Sequence, residues 1–318
     1  MRLRCALLDD FQDAALTHAD WSPIADQVEL VRFPEHFPNE DELASALADF
    51  DIIVTLRERV AFPASLFARL PKLRLLVASG MRNSVIDQAA AERHGVTVCG
   101  TASSSVPPVE LTFALLLGLA RQLVAENTAV RTGGWQNTVG TDLNGACLGL
   151  LGLGQIGTRV ARIALAFGMR VVAWSPNLTA ERAAEAGVEL AGSKEELLAG
   201  ADFVSVHLKL GERSRGLLGA RELGLMKPTA YLVNTSRAAI VDQDALLDAL
   251  REGTIAGAGI DVFDLEPLPA DHPMRTAPRL LATPHLGYVT GDNYRTYYGH
   301  AVEDIQAFLA GSPVRRLS

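Results

Sequence analysis

The sequence has few cysteines, no excess of basic charge and no long apolar run. Each shortage narrows what the chain can be. Only Cys5, Cys99 and Cys147 occur; they are scattered, odd in number and free of any C-x-x-C spacing. That excludes a disulfide framework and a cysteine metal site, and suits small apolar residues in strands of a reduced, cytoplasmic protein. Lys and Arg number 29 against 37 acidic residues, a formal charge of −8, which argues against nucleic acid or an anionic membrane as partner. A small anionic substrate stays open, since a site can be locally basic. The longest apolar stretch, Leu111–Ala120, is about ten residues, short of a membrane span, and reads as a buried core helix. The first ten residues hold too short an apolar run for a signal peptide. Repeats and low-complexity tracts are also missing. What is there is a chain of 318 residues, long enough for two domains with separate cores.

The most informative stretch is Cys147-Leu148-Gly149-Leu150-Leu151-Gly152-Leu153-Gly154-Gln155-Ile156-Gly157. An apolar run of strand character leads into G-x-G-x-x-G at Gly152, Gly154 and Gly157. A helical pattern follows over 158–167 and closes at Gly168. In that context the first Gly makes a tight turn, the second admits a pyrophosphate to the backbone, and the third packs helix on strand. The pyrophosphate would sit on the N–H groups at the helix N-terminus, with Gln155 and Ile156 in its first turn.

Before this motif, strand character falls at 4–10, 28–33, 51–56, 73–79 and 96–100. Helical patterns lie near 11–18, 40–48, 63–70 and 84–94. After it, strands are expected at 170–175, 202–208, 230–235, 258–262 and 280–283. Strands alternating with helices imply parallel sheets covered on both faces. Between the two runs lies Thr101-Ala102-Ser103-Ser104-Ser105-Val106-Pro107-Pro108, linker chemistry whose Pro pair opens a helix expected over Val109–Val130. A turn-rich stretch, 131–143, then leads into the glycine motif. A final helix near 292–309 has no place in a completed nucleotide domain and is expected to return to the first unit. The reading is thus an α/β protein of two domains, 1–100 plus 289–318 and 101–288, joined by two linkers with a cleft between them.

Ligands in such sheets lie beyond the carboxyl ends of the strands. Turns stand there around Leu56-Arg57 and at Ser79-Gly80-Met81-Arg82-Asn83. The second turn either offers backbone N–H groups to a carboxylate or is simply a strand-to-helix turn. In the second run, an acid is expected after the strand that follows the glycines, to bind the ribose hydroxyls. Ser175 stands there instead. No carboxylate repels a 2′-phosphate, and no Arg directly follows, so NAD or NADP is allowed, with a slight lean to NAD. Three further strand ends carry Asn234-Thr235-Ser236-Arg237, Asp261-Val262-Phe263-Asp264-Leu265-Glu266-Pro267 and Thr283-Pro284-His285-Leu286-Gly287. Alone, each reads as a surface ion pair or a satisfied loop histidine. Together they form a kit for reducing a 2-keto acid: Arg237 forks a carboxylate, His285 gives a proton, and Glu266 favours the imidazolium.

The chain resembles the D-isomer-specific 2-hydroxyacid dehydrogenases over nearly its whole length. The resemblance rests on Gly149–Gly157, Val233–Arg237, Gly259–Phe263 with Glu266-Pro267, and Thr283–Gly287. It implies a Rossmann-type cofactor domain inserted in a flavodoxin-like substrate domain. It also implies Arg237 as substrate anchor, Glu266 as partner of the histidine and His285 as acid/base. Asp261 would bind the carboxamide end of the nicotinamide, Thr235 would join the cofactor contacts, and Ser79, Gly80 and Met81 would hold the substrate carboxylate through backbone amides. A homodimer is implied, with the helix Val109–Val130 in the contact. The chain departs from the family pattern at Ser175, where Asp is common, Ala238 and Tyr288, where Gly is usual, and Lys209, where Pro is common. Tyr288 is expected to narrow the substrate pocket. Glu266, where formate-oxidising members carry Gln, argues against formate. A dinucleotide-sensing corepressor on the same fold is the alternative; it would be expected to add tails and partner-binding segments to this two-domain core.

Overall fold

The computed structural model describes residues 2–317. The chain runs β1 (Leu3–Leu7), β2 (Val28–Arg32), α1 (Glu40–Leu47), β3 (Ile52–Thr55), α2 (Ala64–Phe67), β4 (Leu75–Ala78), α3 (Gln88–Arg93) and β5 (Thr97–Gly100). It continues through α4 (Val106–Ala120), α5 (Leu123–Arg131), β6 (Cys147–Leu151), α6 (Gln155–Ala166), β7 (Arg170–Trp174), α7 (Ala180–Glu185), β8 (Glu189–Leu190), α8 (Lys194–Gly200) and β9 (Phe203–Val206). The rest is α9 (Ala220–Leu223), β10 (Tyr231–Asn234), α10 (Gln243–Glu252), β11 (Gly257–Ile260), β12 (Leu280–Ala282) and α11 (Gly291–Leu309). Two compact units result, residues 1–104 with 289–318, and residues 105–288.

Unit 1 is a parallel sheet in the order β2-β1-β3-β4-β5. Unit 2 is a parallel sheet in the order β12-β11-β10-β9-β6-β7-β8. The first order is that of flavodoxin; the second is the dinucleotide-binding order with one strand added beyond its sixth. Strands β3 and β4, and β9 and β10, are buried at every position, as parallel strands covered on both faces must be. That is why they read as largely apolar runs in the sequence. Phe50, Phe62, Phe67 and Leu47 fill one core of unit 1. In unit 2, Leu148, Val160, Ala164 and Phe203 pack in one cluster and Leu198, Leu232, Leu250 and Ile255 in another.

Helix starts follow capping chemistry. Asn39, Asp87, Ser193 and Asp242 each accept from an N–H in the first turn of their helices, satisfying donors that the helix cannot use itself. Helix α11 is built the same way, on Thr290, and belongs to unit 1.

The differences from the sequence reading have local causes. No helix forms at 11–18. Asp10 Oδ1 accepts from the Ala14 and Ala15 amides at 2.7 and 3.2 Å, and Asp13 is left-handed at φ 55°, so the segment closes into turns. The patterns at 63–70 and 84–94 give only the short α2 and α3. The helix expected over Val109–Val130 starts earlier, at Val106, because Pro107 and Pro108 fit its first turn. It then breaks at Gln122, which is left-handed at φ 51°, and α5 leaves at 61° to α4. No single helix among the described residues is long and apolar enough to cross a membrane. The short β8 at the sheet edge went unread, since two residues, Glu189 and Leu190, are too few to show a strand pattern.

Candidate active site

The glycine stretch forms the turn between β6 and α6. Gly152 has φ 105°, and a side chain there would come within 2.8 Å of the His207 carbonyl oxygen. A side chain on Gly157 would come within 2.2 Å of the Gly152 carbonyl oxygen, so only glycine allows helix and strand to approach this closely. At Gly154 nothing stands within 4 Å of where a Cβ would lie. Gly154 is also the N-cap of α6 and supplies no side-chain acceptor, unlike the capped helices above. The first-turn N–H groups of α6, around exposed Gln155 and half-buried Ile156, are left for a ligand. A tight turn, a close-packed third glycine and an open second one fit a pyrophosphate. When bound, a nicotinamide dinucleotide would supply the hydride.

The next strand, β7, ends at Trp174, and half-buried Ser175 follows it. Across the glycine turn lies His207 at the end of β9. Burial pushes its imidazole down to about 4, and Ser205 Oγ lies 2.9 Å from its Nε2. The sequence marks the stretch His207-Leu208-Lys209-Leu210 only through Lys209, where Pro is common, and the burial of His207 leaves no signal there.

At the end of β10, Asn234 is buried and braces the turn that carries Arg237. Its Oδ1 accepts from the Ser236 amide at 3.0 Å, and its Nδ2 donates to the Arg237 carbonyl at 3.0 Å. Ser236 Oγ donates to the Leu208 carbonyl at 2.6 Å. The Thr235 hydroxyl lies 3.0 Å from that of buried Thr112 on α4. Arg237 is half-buried, with Nη1 donating to the Ser236 carbonyl at 2.8 Å. The bracing role of Asn234 was legible only as a polar residue closing an apolar strand.

Glu266 and His285 come together from different loops. His285 Nδ1 lies 2.6 Å from Glu266 Oε2, and Glu266 Oε1 accepts from the Phe263 amide at 2.9 Å. The side chains are 16% and 23% exposed, so the pair is partly shielded yet reachable. A carboxylate only accepts, so Nδ1 carries the hydrogen and Nε2 is the nitrogen left to exchange a proton. His285 has φ 54°, unusual for a non-glycine residue, and Asp261 fixes the loop that holds it there. Asp261 is fully buried and accepts from Thr283 Oγ1 at 2.7 Å, Leu286 N at 2.6 Å and Gly287 N at 2.8 Å. Burial raises its carboxyl above the usual range while those donors and His285 oppose the rise. Tyr288 is buried, with its ring 5.4 Å from the imidazole in an edge-on contact; it buttresses His285.

In unit 1, the Ser79-Gly80-Met81 turn follows β4. Ser79 N donates to the Thr55 carbonyl at 3.0 Å and Gly80 N to Thr101 Oγ1 at 3.0 Å. Both amides are therefore engaged within the unit. Met81, 47% exposed, begins the accessible part of the turn.

The family model described as D-isomer specific 2-hydroxyacid dehydrogenase, NAD binding domain, matches residues 113–287. A glyoxylate reductase of Aeropyrum pernix is 38% identical over 285 residues, covering 86% of this chain and 84% of its own length. A D-3-phosphoglycerate dehydrogenase of Bacillus subtilis is 36% identical over 278 residues, 86% of this chain. The chain spans about half, 52%, of that relative's length. A solved phosphoglycerate oxidoreductase of Vibrio cholerae superposes with a TM-score of 0.92 at 34% identity, covering 98% of this chain and 100% of its own. The relatives are named as dehydrogenases and reductases, with no corepressor among these three. The dinucleotide-binding order of unit 2, its glycine turn and these matches agree: the chain belongs to the D-isomer-specific 2-hydroxyacid dehydrogenase family, NAD(P)-dependent oxidoreductases acting on CH–OH donors.

Proposed function

We propose that the protein reduces a small 2-keto acid to the D-2-hydroxy acid with NADH or NADPH. The observation that carries this reading is the 2.6 Å Glu266–His285 pair on the unit with the glycine turn. His285 Nε2 protonates the carbonyl oxygen as hydride reaches the carbon, and takes the proton back in the reverse direction. Glu266 holds the ring and stabilises the imidazolium. Arg237 binds the carboxylate through its fork. Residues 105–288 take the cofactor, with Gly152, Gly154, Gln155, Ile156 and Gly157 at the pyrophosphate, Ser175 at the ribose, and Thr235 and Asp261 toward the nicotinamide end. Residues 1–104 with 289–318 take the substrate, and the Ser79–Met81 turn meets it chiefly through Met81, since the other two amides are engaged.

A cytoplasmic homodimer is the form we infer. The three cysteines are free and buried, as a reducing compartment permits. Leu123, Val124 and Val130 on α5, with Trp135 and Val139 after it, are 54–97% exposed, more apolar surface than a monomer usually leaves along one segment. Light scattering behind a sizing column tests the dimer; a monomer at micromolar concentration would reject it. The activity is tested by a steady-state screen of glyoxylate, hydroxypyruvate, pyruvate and phenylpyruvate, with NADH and NADPH in parallel. Saturable oxidation of the cofactor by at least one keto acid is expected. Cofactor binding without turnover of any member would favour a sensor over an enzyme.

A further inference from the structure

The groups that hold the Ser79–Met81 turn of unit 1 decide where Met81 lies. On one side they come from the neighbouring strand end. Arg57 N donates to Ser79 Oγ at 2.6 Å, and Asn83 Nδ2 donates to the Arg57 carbonyl at 2.8 Å. Arg57 Nη1 also sits 2.6 Å from the point a Cβ on Gly80 would occupy. On the other side they meet at the end of β5. A Cβ on Gly100 would lie 2.6 Å from the Gly80 carbonyl oxygen, 2.9 Å from Leu317 Cδ2 and 3.2 Å from Met81 Sδ. Groups from both ends of unit 1 therefore converge on the bare face of one glycine, which a larger residue could not offer. The next residue, Thr101, accepts from Gly80 N through Oγ1 at 3.0 Å.

Leu317 reaches this point because the segment after α11 folds back along β5. Gly100 N donates to the Arg315 carbonyl and Leu317 N to the Val98 carbonyl, each at 2.9 Å, and Cys99 forms an antiparallel bridge with Arg316. The segment thereby covers the edge that β5 presents at the end of its sheet. Arg315 is left-handed at φ 48°, a conformation that persists only where surrounding structure enforces it. Its Nε donates to Asp304 Oδ1 at 3.0 Å, and its Nη2 to Glu303 Oε2 at 2.8 Å and to the His300 carbonyl at 3.1 Å. One residue thus clamps the segment to α11 through its side chain and to β5 through its backbone. Leu317 then packs against the core cluster that contains Val98.

We propose that Leu317, held in place by Arg315, is a positioning residue for the substrate turn. Its side chain fills the space beside Gly100 and so sets where Met81 is presented. A shorter side chain at 317 gives Met81 room to move toward β5. The turn then holds its binding position for a smaller fraction of the time, and apparent substrate affinity falls by that fraction. This rests on the reading of the Ser79–Met81 turn as a substrate contact.

The test compares Leu317→Ala and Leu317→Met with wild type and reads the turn and the reaction separately. In protein labelled with ¹³C at the methionine methyls, the Met81 signal is assigned by its loss in Met81→Leu. It should shift or broaden in Leu317→Ala and return toward its wild-type position in Leu317→Met. The signals of Met169, Met226 and Met274, all in unit 2, should stay in place. KM for glyoxylate should rise about three- to tenfold in Leu317→Ala, as expected of a residue that acts through another. Neither kcat nor NADH affinity should move comparably, and Leu317→Met should keep KM near wild type. If Leu317→Ala does not fold, Leu317→Val carries the same comparisons with smaller shifts. A lowered melting temperature with the Met81 signal and KM both at wild-type values would overturn the proposal, since Leu317 would then serve stability alone. So would a fall in kcat with KM unchanged. A Met81 signal that moves while KM stays at wild type would overturn the reading of the turn as a substrate contact, which keeps the two failures apart. Absence of turnover in wild type would count against the enzymatic reading, and the Met81 signal would still decide whether Leu317 positions the turn.

Discussion

Each sheet reverses its strand order once, and the two reversals are built from different material. Between β6 and β9 the site is backbone: glycines at Gly152, Gly154 and Gly157, the His207 carbonyl packed against Gly152, and the uncapped N-terminus of α6. Between β1 and β3 it is side chain: Asp9 and Arg57 in left-handed conformations and a guanidinium laid on Gly80. A backbone site suits a group common to many ligands, the pyrophosphate, and it needs glycine at set spacing. A side-chain site suits discrimination, and it can be assembled from residues of any spacing.

The comparison breaks most severely at the acid/base pair. His285→Gln should lower kcat in both directions by about 10²–10⁴ while NADH still binds, since the glycine turn lies elsewhere on unit 2. Glu266→Gln should cost less. It removes the charge 2.6 Å from the imidazole and keeps the shape, so kcat should fall in both directions but by less than in His285→Gln. Stopped-flow traces in both directions, with fluorescence titration of NADH, would check this. Wild-type rates in Glu266→Gln would remove Glu266 as the partner of His285.

This asymmetry also sets what the sequence could tell. The strands β3, β4, β9 and β10 were legible because burial on both faces demands apolar runs, and the glycine turn because only glycine fits at 2.2–2.8 Å from backbone oxygens. Arg237, Glu266 and His285 were legible as polar residues in the loops that follow apolar strands. The Gln122 break in the α4–α5 segment was not, since a left-handed Gln has no composition signal. Nor was the turn over 11–18, where the Asp10 side chain competes for the amides a helix would use. Arg57 could be placed at a strand end, but its position over Gly80 depends on Ser79 and Asn83, more than twenty residues away in sequence.

Next in size comes stability against pH, where the units carry opposite signs. In unit 1, Asp304 on α11 is fully buried, and burial raises its carboxyl from 3.8 to about 7 despite Arg315 Nε at 3.0 Å. Between those values the unfolded chain has lost a proton that the fold retains, so stability falls as pH rises, by roughly 1.4 kcal/mol per pH unit at most. In unit 2, His207 is lowered from 6.5 to about 4. There the unfolded chain holds the extra proton, and stability falls as pH drops through the same window. Urea unfolding from pH 4 to 6.5 should therefore show little slope from these two groups in wild type. Asp304→Asn should unmask a rise with pH, and His207→Asn a fall. Parallel profiles for all three proteins would show that neither group titrates this way.

A smaller loss is expected at the substrate anchor. Arg237→Lys keeps the charge but not the planar fork, and should cut kcat/KM by about tenfold on the best keto acid. NADH affinity should barely move, because Asn234 and Ser236 brace the turn through contacts that involve no Arg237 side-chain atom. Full activity in the Lys variant would place the carboxylate elsewhere.

The smallest effect tests how far the backbone site of unit 2 leaves discrimination to side chains. The glycine turn reads only what NADH and NADPH share, so preference between them falls to the residue after β7. Ser175 there is neutral and half-buried, and its carbonyl accepts from the Leu178 amide at 3.1 Å, which holds the loop close to the strand end. A hydroxyl can hydrogen-bond a ribose and does not repel a 2′-phosphate, so wild type should bind both cofactors with a modest difference. Ser175→Asp restores a carboxylate where the two ribose hydroxyls would meet it. It should weaken NADPH several-fold and leave NADH unchanged or slightly tighter. The difference should shrink as salt rises, because it arises from repulsion between exposed charges. Fluorescence titrations of both cofactors at low and high ionic strength would measure this. Should Ser175→Asp bind NADPH as wild type does at low salt, the 2′-phosphate lies away from the end of β7, and Ser175 is not the residue that sets cofactor choice.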